Sequence, residues 1–216
     1  MATATVRGSA SRSVQPDYVA VTLGITEVAK DAATAMGKVA DRSQRLEELL
    51  GQLKIAKQDW VTEGVNVAEE WEYKRDTNTM VGYRATSGVV VTVRQLDRVG
   101  RLLRDAVDQC SANARELRWQ VDRDNPAKRE LLGEAAADAL DRATAYATAL
   151  GMQVGAVELI SDDPIVESSS DSGLYGGGQM RAMMAKADSA PVSVSGGLIE
   201  LVAEVHVRFG LLSTNR

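Results

Sequence analysis

Alternating apolar and polar positions predict most of the strands in this chain. The clearest run spans residues 199–209, where every second side chain is apolar: Ile199, Leu201, Ala203, Val205, Val207 and Phe209. Because a strand sends successive side chains to opposite faces, this run predicts one buried face. His206, the only histidine, falls on the other face with Glu204 and Arg208. We therefore expect a solvated histidine that has no second histidine to act with.

Similar alternation predicts strands at about residues 19–25, 61–73, 83–93, 117–121 and 154–160. Asp76-Thr77-Asn78 is a polar turn that joins two of these runs into a hairpin. We expect the sheet to bury one face only, against the helices. The side chains predicted on that face are Val21, Leu23, Val65, Val67, Val89, Val91, Leu117, Trp119, Val205 and Val207.

Apolar positions at helical spacing predict three helices. The first covers about residues 31–53, with Asp31 as its N-cap, and its predicted apolar stripe is Met36, Val39, Leu46, Leu49, Leu50 and Leu53. The second covers about residues 96–107. The third begins at Asn125-Pro126 and ends before Gly151, and its predicted stripe is Leu131, Leu132, Ala135, Ala139, Ala143, Tyr146 and Leu150.

The order of these elements predicts an α+β fold. A β-α-β-β-α-β split core is followed by an α-β-β extension, giving a mainly antiparallel sheet with helices packed on one face. We expect a single domain over residues 1–216. Residues 162–197 are rich in serine, glycine and aspartate, and we expect them to form a flexible or projecting insertion.

Composition narrows the function classes. The chain has 216 residues and a net charge of −5, from 25 basic and 30 acidic side chains, which argues against a nucleic-acid partner. A single cysteine, Cys110, rules out an internal disulfide. No apolar run approaches the ~20 residues of a membrane span. Without an apolar signal segment, the sequence as written predicts a cytoplasmic protein; the alternative is an exported, periplasmic protein whose signal has been trimmed.

Several motifs, taken in order, resemble the SIMPL-domain family. They are Gly8-Ser9-Ala10, Val14 to Val21, Leu53-Lys54-Ile55 with the family's glycine missing, Gly82-Tyr83-Arg84-Ala85, Leu96 to Gly100, Ala139 to Gly151, and Pro191 to Phe209 with Ser195-Gly196-Gly197 in place of Pro-Gly-Glu. The resemblance implies an α/β fold that assembles into homo-oligomeric, ring- or channel-like particles. Members of that family include periplasmic proteins linked to oxidative-stress defence, surface immunogens and a kinase-associated signalling protein. The resemblance supplies no catalytic residues.

Few residues are candidates for chemistry. Glu70 and Glu72 share a strand face and are candidates for acid–base work, although no third catalytic group accompanies them. A second acidic set, which lacks the glycine and distal glutamate of a calcium loop, is Asp122, Asp124, Asp162 and Asp163. Cys110 has no base nearby in sequence, so we expect a structural cysteine. The sequence thus predicts no catalytic, cofactor-binding or metal-binding residue and no cofactor.

The insertion carries the sharpest candidate for a contact surface. Gly176-Gly177-Gly178 lacks the Lys-Ser/Thr of a phosphate loop. Tyr175, Met180, Met183 and Met184 supply adaptable apolar side chains, and the methionine spacing would bring them together on a helix. The two interpretations are a contact segment for an oligomer or partner, and a disordered linker with incidental methionines.

We therefore expect a non-enzymatic, homo-oligomeric assembly or interaction protein, related to stress or to the envelope, whose partner is itself or an unidentified protein or envelope component. One alternative is a metal-binding or hydrolytic stress protein that uses the carboxylates of residues 69–72 or 122–124. The other is a peripheral membrane or envelope binder that uses Tyr175 and residues 180–184.

Overall fold

The computed structural model describes residues 2–74, 77–162, 166–169 and 194–214, and residues 2–214 contain two compact units. The central unit is built around residues 17–119, and the terminal unit around residues 2–16, 120–162 and 196–214. In chain order the elements are β1 (Ala2–Val14), β2 (Tyr18–Ala29), α1 (Ala32–Gln52), β3 (Trp60–Lys74), β4 (Thr77–Val93), α2 (Val99–Cys110), β5 (Asn113–Gln120), α3 (Pro126–Ala149), β6 (Met152–Asp162), β7 (Val166–Ser169) and β8 (Ile199–Ser213).

The central unit confirms the predicted split arrangement. Its elements run β2-α1-β3-β4-α2-β5, and the sheet order is β3-β4-β2-β5, with antiparallel pairing of β2 and β3 on β4. The largest buried side chains come from β2, β4, α1 and α2: Val19, Val21, Leu23, Ile25, Leu46, Leu50, Val91, Leu102 and Leu103. The α+β class is therefore confirmed.

Strand β2 is buried on both faces, which corrects the prediction of a sheet with one buried face. Ala20, Thr22 and Gly24 lie opposite the core-facing residues and are also buried. Gly24 is covered by the side chain of Arg115, because a Cβ added at Gly24 would lie 2.1 Å from Arg115 Nε. A long side chain from β5 thus covers part of the face that alternation alone assigns to solvent.

Helix α1 has the predicted N-cap and an unusual C-terminus. Asp31 accepts a hydrogen bond from the Thr34 N–H at 2.8 Å. At the other end, Lys54 N donates to Gly51 O at 3.0 Å and Ile55 N to Leu50 O at 3.0 Å, with Lys54 at φ 57°. This is the Schellman arrangement, in which the left-handed position is usually glycine. The glycine missing from the family pattern is thus replaced here by a lysine in a left-handed conformation.

Two residues of the predicted core are exposed in the central unit. Val65 pairs with the buried Ser87, so it lies on the helix side of the sheet, yet it is 57% exposed. Val65 lies on β3, which is an edge strand of this sheet, and its side chain is left uncovered although Val67 on the same face packs against the core. Met36 on α1 is also exposed. Val65 lies on the predicted face, but the expected burial of both side chains was wrong, because sequence periodicity assigns a face and not its cover.

The terminal unit forms a second sheet, so the α-β-β extension does not enlarge the first one. Its order is β1-β8-β6, and β7 also pairs with β8. Strand β1, which alternation does not predict, pairs along its full length with β8, from Ala2↔Leu211 to Val14↔Ile199. The six apolar positions of residues 199–209 are buried as predicted. His206 lies half-buried on the other face with Glu204.

Helix α3 packs on β1, β8 and β6 through small side chains. Asn125 Oδ1 accepts from the Ala127 N–H at 2.9 Å, which confirms the predicted N-cap before Pro126. The buried residues of α3 are Leu131, Ala135, Ala139, Ala143 and Ala147. Tyr146 and Leu150 were predicted in the stripe and are instead exposed. Within the residues that the structure describes, none of the helices combines the length and apolarity needed to cross a membrane.

Candidate functional site

One member of the carboxylate pair on β3, Glu70, is held by an arginine from the neighbouring strand. Arg84 Nε donates to Glu70 Oε2 at 2.6 Å, and Arg84 Nη2 donates to Glu70 Oε1. The hydrogen bond from the Arg84 side chain lowers the pKa of Glu70 below its usual range. A carboxylate held ionised in this way is a poor proton shuttle near neutral pH, because general acid–base work favours a pKa near the operating pH.

The second acidic set consists of a turn and a strand end. Asn125 N donates to Asp122 O at 3.1 Å, so residues 122–125 form the turn that leads into α3. Asp162 ends β6, where it pairs with Val205, and Asp163 lies outside the described residues. In the part of the chain that is described, no three histidine, cysteine or acidic side chains form a group able to hold a metal ion.

Cys110 is buried in the central core at the end of α2. Burial is the main cause that raises the pKa of its thiol; the charge of Arg45 acts in the opposite direction and that of Glu48 in the same direction. A raised pKa and a covered sulfur are the features of an unreactive thiol. The environment of Cys110 therefore fits a packing role.

The predicted contact residues Tyr175, Met180, Met183 and Met184 lie outside the described residues, as does Gly176-Gly177-Gly178. The contact role of the insertion therefore stays a prediction. The described residues instead present an apolar surface that the sequence analysis missed.

This surface is the end of the β3–β4 hairpin. Strand β2 pairs with β4 only from Tyr83 to Val93, whereas β3 pairs with β4 as far as Lys74↔Thr77. Residues 70–74 and 77–82 are therefore a two-stranded extension of the sheet, called the arm below. Its exposed apolar side chains are Trp71, Tyr73, Met80 and Val81.

The arm has one aromatic and one charged face. Trp71 lies directly opposite Met80, and Tyr73, two residues further along β3, projects on the same side. Trp71 is 51% exposed and Tyr73 is 70% exposed. Trp71 Nε1 donates to Glu69 Oε2 at 3.1 Å, so the indole N–H has a partner on the β3 residue that precedes the arm. Glu70 and Glu72 project to the other side, where Arg84 holds Glu70.

A length signal in the sequence could have identified the arm. Alternation places Trp71 and Tyr73 in register with the core-facing Val67, as part of the predicted strand at about residues 61–73. However, the strand predicted at about residues 61–73 is longer than the one predicted at about residues 19–25. The structure shows the same inequality, with 17 residues in β4 and 12 in β2. The residues of the hairpin nearest its turn must then extend beyond the end of β2, where they are not covered by a helix.

Comparison with known proteins gives a family match and several relatives. The SIMPL family model, described as a protein of unknown function (DUF541), matches residues 4–209. Uncharacterized protein YggE of Escherichia coli K12 is 28% identical over 186 residues, which cover 86% of this chain and 72% of that protein. The 26 kDa periplasmic immunogenic protein of Brucella melitensis is 26% identical over 216 residues, covering 94% of this chain and 82% of that protein.

A third relative matches a shorter stretch more closely. The YggE protein of Edwardsiella ictaluri is 36% identical over 112 residues, which cover 51% of this chain and 46% of that protein. These relatives agree with the family match, which extends over nearly the whole of the 216 residues. The resemblance drawn from the ordered motifs is thereby confirmed, and this protein belongs to the SIMPL family.

Proposed function

We propose that this SIMPL-family protein is a non-enzymatic assembly protein that associates with further copies of itself. The observation that carries the proposal is the uncovered aromatic face of the arm, formed by Trp71, Tyr73 and Met80. An isolated two-stranded hairpin is marginally stable in water, and these side chains gain stability if another surface covers them. Aromatic residues and methionine are also enriched in protein–protein interfaces.

A second copy of the chain is the occupant that fits this surface best. Within the described residues, β4 is the one strand paired with β3, so the outer edge of β3 is open to strand addition. Antiparallel pairing of two β3 strands around a twofold axis keeps equivalent side chains on one side of the joined sheet. Trp71 and Tyr73 of both copies would then form one continuous apolar surface.

The non-enzymatic part of the proposal rests on how the reactive groups are placed. The Glu70 carboxylate is held in an ion pair with Arg84, and Cys110 is buried, which raises the pKa of its thiol. His206 lies on the polar face of β8, with Arg7 and Glu204 forming an ion pair on the same sheet. These groups sit on separate elements, which supports a scaffold and not a catalytic centre.

The insertion is proposed as a further contact. Tyr175, Met180, Met183 and Met184 would add apolar contact to a neighbouring subunit beyond that of the arm. Ring- or channel-like closure of the assembly is part of the same proposal. The similarity to the Brucella periplasmic immunogenic protein supports the exported, periplasmic location over the cytoplasmic one. Fractionation of cells that produce the full-length natural protein tests the location, and recovery in the cytoplasm would contradict it.

The assembly is tested by the native mass of the whole chain. We expect an oligomer for the wild type and a smaller mass for the double variant Trp71→Glu/Tyr73→Glu. The matched control is Tyr146→Glu, since Tyr146 is an exposed tyrosine on α3 that lies outside the arm. We expect that control to retain the wild-type mass.

A wild-type monomer would overturn the proposal. Equal native masses for the double variant and the wild type would show that the arm is not part of the interface. Replacing residues 173–187 by a Gly/Ser linker separately tests the insertion, and we expect weaker association by sedimentation velocity. Unchanged association in that variant would show that the insertion is only a linker.

A further inference from the structure

A small cavity in the central unit lies between the end of α1 and the start of α2. Its volume is 150 Å³, and two apolar side chains that line it, Leu53 and Leu102, are buried in the core. The turn after α1 contributes Lys54 to the lining, and the chain between β4 and α2 contributes Arg94 and Arg98. The cavity thus has buried apolar residues in its wall together with exposed basic residues from two segments.

The charge of this cavity is opposite to that of the whole protein. Its ionisable lining residues are Lys54, Arg94, Arg98 and Asp59, three cations and one anion, which sum to +2. The chain as a whole has a net charge of −5. A concave site with an excess of one sign of charge attracts ions of the other sign.

Two of the cations are fixed by neighbouring groups. Arg98 Nη1 donates to Leu53 O at 3.3 Å, which holds the guanidinium against the turn that follows α1. A guanidinium has five N–H donors, so this bond positions the group without exhausting it. The Arg94 guanidinium carbon lies 5.3 Å from the centre of the Tyr18 ring, a cation–π distance. Side chains ordered in advance lose less entropy when they bind a ligand.

Lys54 occupies its place at a conformational cost. Its φ of 57° is left-handed, and this conformation disfavours any residue that carries a Cβ. Glycine would relieve the strain, but it would remove the positive charge of a residue that lines the cavity. A strained residue that also supplies a charge to a concave site is the combination found at ligand-binding positions.

We propose that this cavity binds a phosphate group. Phosphate matches the site because planar guanidinium groups donate to its oxygens in pairs, while a lysine contributes a point charge. The phosphate can belong to free inorganic phosphate or to a lipid headgroup. The binding is independent of the proposed self-association, since none of the cavity residues lies in the arm.

Calorimetric titration of the full chain with inorganic phosphate, at constant ionic strength, tests the proposal. We expect saturable binding at one site per chain. The double variant Arg94→Gln/Arg98→Gln should bind at least about tenfold more weakly, because a charge-assisted hydrogen bond contributes on the scale of a tenfold change in affinity. The matched control is Arg104→Gln, which removes an exposed α2 arginine that does not line the cavity.

Lys54→Gly is a second variant for this test, and we expect it to fold because glycine releases the left-handed strain. It should bind phosphate more weakly and unfold at a higher temperature than the wild type. Absence of saturable binding by the wild type would overturn the proposal, as would equal losses in the double variant and in Arg104→Gln. Co-sedimentation with phosphatidylglycerol vesicles then distinguishes the two sources of the phosphate group, a lipid headgroup and free phosphate. If the wild type co-sediments with the vesicles and the double variant does not, the ligand is a lipid headgroup. If the wild type binds inorganic phosphate but does not co-sediment with the vesicles, the ligand is free phosphate.

Discussion

Gly8 and Ala139 bring β1 and α3 into direct backbone contact. A Cβ placed on Gly8 would lie 2.7 Å from the Cβ of Ala139 and 2.0 Å from the carbonyl oxygen of Ala135. Glycine is thus required by space at this position, on a strand whose conformation would otherwise accept any residue. Two family-like motifs separated by more than a hundred residues, Gly8-Ser9-Ala10 and the alanine repeat that begins at Ala139, are therefore two sides of one contact.

Gly8→Ala is expected to destabilise the terminal unit by about 1–3 kcal/mol or more, the usual cost of overpacking, because the obstructing atoms include backbone. The free energy of unfolding from urea denaturation measures the effect. The control is Gly133→Ala in α3, where nothing lies within 4 Å of an added Cβ. That control should gain up to about 1 kcal/mol, since alanine favours a helix over glycine. Equal stabilities for the two variants would refute the close packing.

Lys54→Gly is expected to stabilise the central unit by about 0.5–1 kcal/mol. Relief of left-handed strain contributes about 1–2 kcal/mol, and the greater freedom of glycine in the unfolded chain offsets about 0.5–1 kcal/mol of it. Ser111 at the end of α2, with φ 50°, should respond to glycine in the same way. The control Gln52→Gly, at a right-handed helical position, should instead lose stability. Thermal unfolding ranks the three variants, and a loss at Lys54→Gly would contradict the strain.

Cys110 is expected to resist thiol reagents in the native protein. The sulfur is buried, and burial raises the pKa of the thiol, so the fraction of reactive thiolate is small. The rate of reaction with a chromogenic disulfide should be slow in buffer and rise to that of a free cysteine in denaturant. Rapid modification of the folded protein would show that the α2 end opens readily.

The Arg84–Glu70 ion pair is expected to weaken only in acid. Because the folded-state pKa of Glu70 is lowered, the stabilisation is present above the ordinary glutamate pKa of about 4.3 and is lost as the pH falls through the folded value. The stability difference between wild type and Glu70→Gln should thus be constant near neutral pH and shrink below about pH 4. In an Arg84→Gln background the same substitution should show little of this dependence. An unaltered difference in that background would exclude Arg84 as the cause.

The sequence by itself determined the elements whose signals are local. The six alternating apolar residues of 199–209 form the buried face of β8, and Asp31 and Asn125 cap α1 and α3 as their positions predict. The β-α-β-β-α-β order also followed from the sequence. These features depend on side chains a few residues apart, so a single stretch of chain contains all the information needed.

Tertiary structure decided which strand edges pair and which faces are covered. Strand β1 is a polar sequence that becomes a strand because β8 offers a complete edge, and α3 can approach it because Gly8 meets small alanines. Val65 and Trp71 follow the same alternation as the core, yet both are exposed: Val65 lies on an edge strand, and Trp71 lies where the hairpin extends beyond β2. The partner of Glu70 was fixed by the hairpin register, which brings Arg84 alongside. Periodicity specifies the direction of a side chain, whereas cover and partners come from residues distant in the chain.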